Sequence, residues 1–257
     1  VWGNEEAAGS ALSIENVTYS YDGERDILKN VSMTFPEKGM TAIAGESGCG
    51  KSTAVSLLLG AIRPKSGRIT AGGTPIEKLS QNSYYSKLAS VSCGTYIFSD
   101  TVRANFMLAK PDITEDEIYS ALEKVNLADF IRKNGGTDKL ISEDAANISG
   151  GQKQRLALAV SLAADKDIYI FDEATSSIDI ESEAIIMNNI RALAKSKNVI
   201  VISHRLENTV PADNIFFMRS GAVAESGTHD ELMKLNGGYA QLYTAQKKVE
   251  NGYTEVI

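Results

Sequence analysis

Nine consecutive residues, Gly45, Glu46, Ser47, Gly48, Cys49, Gly50, Lys51, Ser52 and Thr53, carry three glycines, a lysine and three hydroxyls. Such a run packs no core. From Gly45 to Ser52 it fits G-x-x-x-x-G-K-[ST], a loop whose glycines let backbone N–H groups turn inward around phosphate oxygens. The helix expected after it adds the partial positive charge of its N-terminus. Lys51 is expected to reach the β and γ phosphates of a nucleoside triphosphate, and the Ser52 hydroxyl to bind Mg²⁺.

A second set of groups lies in IYIFDE, 168–173. Asp172 follows an apolar run and suits a Mg²⁺ shell through water, because Mg²⁺ prefers oxygen ligands. Glu173 faces the other way and is expected to polarise an attacking water. Adjacent acids at a strand end are usually a cap or turn; the lysine loop upstream reverses those odds. In ISGGQKQR, 148–155, Ser149 and Gln152 have capping-box spacing, and Gly150 and Gly151 leave bare amides at a helix mouth. That is a second anion-binding mouth without a lysine, so one chain carries two half-sites for a triphosphate. His204 follows the apolar run VIVI, where an imidazole can contact a γ-phosphate; His229 falls in a helix cap and reads as structural.

The elements that position these groups are legible in outline. MTAIA (40–44), IYIF (168–171) and VIVI (199–202) are short β-rich runs bounded by polar residues. Each looks like a strand buried on both faces. Each also leads directly into one of the polar sets, as expected where ligands sit beyond the carboxyl ends of strands in an open α/β sheet. Val31, Met33 and Phe35 alternate, as do Val17, Tyr19 and Tyr21, predicting antiparallel strands near the start. Between 95 and 150 the pattern turns helical, with a Thr114–Glu117 capping box ahead of Ile118, Leu122 and Val125. A hairpin at Ser220-Gly221 and a helix capped by Thr228 and Glu231 follow.

Composition narrows the function classes. The chain has 257 residues, 43% hydrophobic, with net charge −7, which argues against nucleic acid as a partner. Two cysteines point to a reducing compartment without a disulfide framework. No apolar run approaches the roughly 18 to 20 residues of a membrane span. VWGNEEAAGS reads as a polar linker, and with no signal peptide or initiator Met the sequence reads as a piece cut from a longer chain.

Across nearly its whole length the chain resembles the nucleotide-binding domains of ATP-binding cassette transporters, exporter type. ISGGQ matches the family signature with Ile148 where Leu is usual, SSID (176–179) resembles the D-loop that ends in Asp179, and VISHR (201–205) resembles the switch-histidine strand. SEDAANISGGQ, FSDTVRANF, ESGTHDELM and YAQLY resemble exporter segments around these motifs. The resemblance implies a P-loop α/β cassette: a mixed sheet core, N-terminal antiparallel strands and an inserted helical subdomain. One cassette would fill 1–257, with a linker over 1–11, a RecA-like core over 12–94 and 165–257, and a helical subdomain over 95–164. It implies ATP and Mg²⁺ as ligands, with Tyr21 stacking on adenine, Lys51, Glu173 and His204 at the reacting phosphate, and Ser52 and Asp172 at the metal. It further implies a head-to-tail pair of cassettes, the same or different, in which Ser149, Gly150, Gly151 and Gln152 of each complete the other's P-loop site. A transmembrane domain in the same or a partner chain would place this one at the cytoplasmic side of the cell membrane.

The chain departs from the family pattern in places. Cys93 stands where the family has the glutamine of the Q-loop, and a thiol is a poor ligand for a hard cation. Val160 replaces a common arginine, and Asp144 and Ala145 replace the usual Arg-Gly. Besides an exporter ATPase, a soluble cassette ATPase outside transport and a regulatory ATP-binding module with little turnover remain open at this point.

Overall fold

The structure is a computed structural model and describes residues 2–254. In chain order the elements of the first half are β1 (Leu12–Tyr19), β2 (Leu28–Phe35), β3 (Gly39–Gly45), α1 (Lys51–Leu58), β4 (Ser66–Ala71), β5 (Thr74–Pro75), α2 (Gln81–Ser86), β6 (Leu88–Ser92), α3 (Val102–Ala109) and α4 (Glu115–Lys124). After them come α5 (Ala128–Lys133), α6 (Gly150–Ala163), β7 (Ile168–Asp172), α7 (Ile180–Ala194), β8 (Asn198–Ile202), β9 (Asn214–Arg219), β10 (Ala222–Gly227), α8 (His229–Leu235) and α9 (Gly238–Thr254). The strands form an antiparallel sheet of order β2-β1-β4-β5 and a six-stranded mixed sheet of order β10-β9-β3-β8-β7-β6. The mixed α/β class with N-terminal antiparallel strands is thus the observed architecture.

The described residues fold into two compact units, one of residues up to 88, 167–170 and from 194 onward, the other of 89–166 and 171–193. In the first, Leu28, Val31, Met33 and Phe35 of β2 point inward while Lys29, Asn30, Ser32 and Thr34 face solvent, the signature of a strand with one wet face. Strand β8 is buried throughout and β3 from Met40 onward, as parallel strands covered on both sides must be. Strand β3 pairs in parallel with both β8 and β9, so Gly45, Ile202 and Arg219 end on one edge. Strand β7 neighbours β8 in the sheet, the Asn198 N–H donating to the Asp167 carbonyl at 3.0 Å, and it ends at Asp172.

One expected strand stops short. The alternation of Val17, Tyr19 and Tyr21 predicts one face of one strand, but β1 ends at Tyr19. The Ile27 N–H donates to the Tyr19 carbonyl at 2.7 Å and closes a loop there, which carries Tyr21 off the sheet. The pairing of β1 with β2 also slips between Ile14 and Val17, where Asn16 takes φ +50° in a bulge.

In the second unit α6 packs against α3 and α4. Phe106, Ile118, Ala121, Leu122, Leu156, Leu158 and Ala159 are buried there. Helix α4 begins with the expected capping box of Thr114 and Glu117, and α6 with that of Ser149 and Gln152.

Candidate functional site

The loop Gly45–Thr53 lies in the first unit, between β3 and α1. All three glycines of the loop take positive φ. At Gly45 (φ +146°) an added Cβ would sit 2.3 Å from the Met218 carbonyl oxygen; at Gly48 (φ +76°) it would meet nothing within 4 Å, so there only the backbone conformation favours glycine, and the loop turns its bare backbone to open space. Helix α1 starts at Lys51 with Gly50 as its N-cap, and no side chain accepts from its first-turn amides. Lys51 is 5% exposed. Its ammonium donates to the carbonyls of Gly45 (2.8 Å) and Glu46 (2.9 Å) and lies 3.9 Å from Cys49 Sγ.

A cavity of about 500 Å³ adjoins this loop, lined by Glu46, Ser47, Gly48 and Cys49 together with Arg25, Asp26, Ile27, Lys29 and Arg219–Gly221. Among its lining residues Arg25, Lys29 and Arg219 are cationic and Asp26 and Glu46 acidic, and its size suits a small polar ligand. Tyr21 is 66% exposed. Its ring lies edge-on to Tyr19, with centroids 4.9 Å apart, and its hydroxyl is 3.3 Å from Thr53 Oγ1 on the first turn of α1. The bare cradle, the helix N-terminus, Lys51 and the nearby Arg25, Lys29 and Arg219 together fit a polyphosphate, with an aromatic ring close to one side. His204 lies two residues beyond β8 and is exposed. Its carbonyl accepts from the Gln246 side chain (2.7 Å), whose oxygen in turn accepts from the Leu206 N–H (2.9 Å), so α9 holds this turn.

The second unit holds the other expected residues. Asp172 and Glu173 are both half-buried, and Glu173 takes φ +55°, uncommon for a residue with a Cβ. The Ser149 hydroxyl accepts from the Gln152 N–H (3.2 Å), and the Gln152 side-chain oxygen accepts from the Ser149 N–H (2.9 Å). Those two side chains are therefore occupied in capping α6, while the amides of Gly150 and Gly151 form its first turn. Gly150 is exposed and a Cβ there would meet nothing; at Gly151 it would lie 2.8 Å from the Ser177 carbonyl oxygen. Asp179 accepts from the Ser182 N–H at 2.9 Å, and that backbone bond, with help from the Ser182 hydroxyl, holds its carboxyl below the usual range. Cys93 is exposed at the tip of a turn closed by Ser92 and Thr95. Among the described residues no three His, Cys, Asp or Glu side chains come together as a metal cage.

Two residues of α6 that sequence reasoning passed over tie this unit together. The buried Gln154 side chain donates to the Glu173 carbonyl (3.1 Å) and accepts from the Ser177 N–H (2.9 Å). Arg155 donates to the Asn126 carbonyl (2.8 Å) and the Ser182 hydroxyl (3.0 Å), behind Asp179. The available signal was position: Gln154 sits three residues after Gly151 and four before the buried Leu158, on the inward face of the helix.

The family model described as ABC transporter matches residues 28–176. Over 239 residues the chain is 43% identical to an "Uncharacterized ABC transporter ATP-binding protein" of Haemophilus influenzae, covering 93% of this chain and 43% of that protein. It is 37% identical over 244 residues to an "ATP-dependent lipid A-core flippase" of Haemophilus ducreyi, covering 94% of this chain and 42% of that protein. A solved structure, "Structure of a bacterial Atm1-family ABC exporter with ATP bound", superposes with a TM-score of 0.90 at 32% identity, over 96% of this chain and 44% of that one. The chain spans less than half the length of these relatives. Among the described residues no helix is long and apolar enough to cross a membrane.

Proposed function

The chain belongs to the ABC transporter family, and from that premise we propose that it is the ATP-binding, ATP-hydrolysing cassette of a membrane exporter. The observation that carries this reading is the loop itself: a glycine cradle around the buried Lys51, beside a cavity whose lining includes Arg25, Lys29 and Arg219. In this reading residues 1–11 are a linker, 12–94 and 165–257 the RecA-like core, and 95–164 the helical subdomain. The cassette works at the cytoplasmic side of the membrane against a transmembrane domain, paired with a second cassette.

The roles follow from chemistry. Tyr21 offers its exposed ring face to adenine. Lys51 exchanges the Gly45 and Glu46 carbonyls for β and γ phosphate oxygens, and the α1 amides take up further charge. The Ser52 hydroxyl and the Asp172 carboxylate are hard oxygen donors of the kind Mg²⁺ takes, directly or through water. Bound there, Mg²⁺ would offset negative charge on the β and γ phosphates. Glu173 removes a proton from the attacking water, and His204 contacts the γ-phosphate. Ser149, Gly150 and Gly151 of a partner cassette bring a second helix N-terminus to the same phosphate.

The test separates binding from turnover. Glu173→Gln should lower ATP hydrolysis by about 10² to 10⁴ and leave ATP affinity intact, the range expected for loss of a general base. Lys51→Ala should remove ATP binding altogether. Hydrolysis undiminished in Glu173→Gln, or ATP affinity undiminished in Lys51→Ala, would overturn the assignment.

A further inference from the structure

We propose that Gln154 is the positioning residue of the Glu173 base, holding the backbone on which that carboxylate is carried. The inference rests on the reading of Glu173 as general base. Gln154 is 6% exposed and uses both ends of its amide on one short turn. Its nitrogen donates to the Glu173 carbonyl at 3.1 Å and its oxygen accepts from the Ser177 N–H at 2.9 Å. Those partners, a carbonyl and an N–H, fix which way the amide points. The turn adds one bond of its own, from the Ser176 N–H to the Glu173 carbonyl at 3.2 Å.

That carbonyl belongs to a residue in the left-handed region, with φ +55°. A residue with a Cβ stays in that region only where its surroundings over-determine it. Helix α6 supplies the determination at two points one turn apart: Gln154 grips the turn at both ends, and Gly151 lies so close that a Cβ would stand 2.8 Å from the Ser177 carbonyl oxygen. The helix that opens with the signature glycines thereby sets where the Glu173 side chain departs from the backbone. Displacement of a reacting group by about 1 Å can cost about 10² in rate. Both ends of the Gln154 amide are engaged by backbone groups, the Glu173 carbonyl and the Ser177 N–H, so it acts through Glu173.

The experiment compares Gln154→Leu, which loses both bonds, with Gln154→Glu, which keeps an acceptor for the Ser177 N–H but has no donor for the Glu173 carbonyl. Both are made in the purified protein, alone and together with Glu173→Gln. Steady-state and single-turnover ATP hydrolysis, ATP affinity by calorimetric titration and thermal unfolding are measured. In each single variant kcat should fall by about ten-fold or more while the ATP Kd stays within about two-fold, because the base is misplaced and the cradle is not. Added to Glu173→Gln, neither change should slow hydrolysis further, since the group it positions is already gone. If Gln154→Leu does not fold, Gln154→Glu is read by the same criteria. An unchanged kcat in a folded variant, or losses that multiply in the double variant, would overturn the proposal while leaving the general base in place. If Glu173→Gln alone hydrolyses ATP normally, the general-base reading and this inference fall together.

Discussion

The Tyr21 hydroxyl lies 3.3 Å from Thr53 Oγ1, which ties a loop beyond β1 to the first turn of the helix that follows the phosphate cradle. The ring is thereby held at the edge of the phosphate loop with a face left exposed. Stacking of a base on an aromatic ring is worth about 1 to 3 kcal/mol, and so open a ring belongs at the low end. Tyr21→Ala should therefore weaken ATP binding by roughly five- to ten-fold. Tyr21→Phe keeps the ring, gives up only a long hydroxyl contact and should stay within about two-fold. Affinity for inorganic tripolyphosphate, which has no base to stack, should be the same in all three proteins. Equal losses for Ala and Phe in a calorimetric titration would place the effect in the hydroxyl pair rather than the ring.

Glu117, at the start of α4, supplies a pH-dependent prediction. Its carboxylate meets the Lys110 ammonium at 2.5 Å and accepts from the Thr114 N–H at 2.8 Å. The lysine contact first, and the capping bond second, bring its pKa from the ordinary 4.5 down to about 2. A folded pKa below the unfolded one means that this group's contribution to stability is fully present above about 4.5. It is lost as the pH falls from there toward 2. The carboxyl resonance of Glu117 should titrate near 2 in the folded protein. Lys110→Met should move that midpoint back toward the ordinary value and shift acid unfolding to higher pH. A midpoint unmoved by Lys110→Met would assign the shift to the helix cap alone.

The contrast between these two sites shows what a sequence carries openly. Capping boxes at Thr114, Ser149 and Thr228 join residues three apart, so composition and spacing suffice to find them. The hairpin at Ser220-Gly221 is equally local: both residues take positive φ, as its residue types suggest. The buried runs that became β3, β7 and β8 were visible because strands covered on both faces have no polar side to confuse the pattern. Tyr21 was misplaced because alternation continues past the point where the Tyr19 carbonyl closes a loop, and that closure depends on Ile27. Gln154 and Gln246 were invisible as partners of Glu173 and His204, being 19 and 42 residues away. A polar side chain on an inward helix face states that it needs a partner, and only the fold says which.

Cys93 gives a prediction about rate without a structural penalty. It is exposed at the tip of a turn held by its neighbours: the Ser92 N–H donates to Thr95 Oγ1 at 2.8 Å, and the Thr95 N–H to the Ser92 carbonyl at 3.1 Å. Cys93→Gln should change stability by less than about 0.5 kcal/mol, as expected of an exposed side chain outside any hydrogen-bonded network. An amide oxygen is a harder ligand than a thiol, so turnover should rise several-fold and its Mg²⁺ dependence should sharpen. An unchanged or lower rate, in a variant that melts like the parent, would mean that this turn works through other contacts.

The last prediction joins the base to assembly. On the reading of Glu173 as general base, Glu173→Gln keeps the shape of the side chain, removes a negative charge near the triphosphate and leaves nothing to accept the proton of water. ATP should then persist uncleaved. If it is shared between the P-loop of one cassette and the α6 mouth of another, two chains should stay together, and the variant with ATP should elute as a dimer in size exclusion while the parent is mainly monomeric. The disrupting substitution has to be chosen with care. An aspartate at Gly151 would collide with the Ser177 carbonyl of its own chain, where a Cβ lies at 2.8 Å, and so would confuse misfolding with lost pairing. Gly150 is exposed, and a Cβ there meets nothing within 4 Å. A carboxylate in the first turn of a helix is also favourable to that helix, so Gly150→Asp should fold normally. What it changes is the partner's view: a negative charge presented to the γ-phosphate. Glu173→Gln with Gly150→Asp should bind ATP as well as Glu173→Gln alone and elute as a monomer. A dimer that survives Gly150→Asp would place the shared surface elsewhere. A Glu173→Gln protein that binds ATP tightly yet stays monomeric at high concentration would rule out pairing with an identical chain and leave a different cassette as the partner.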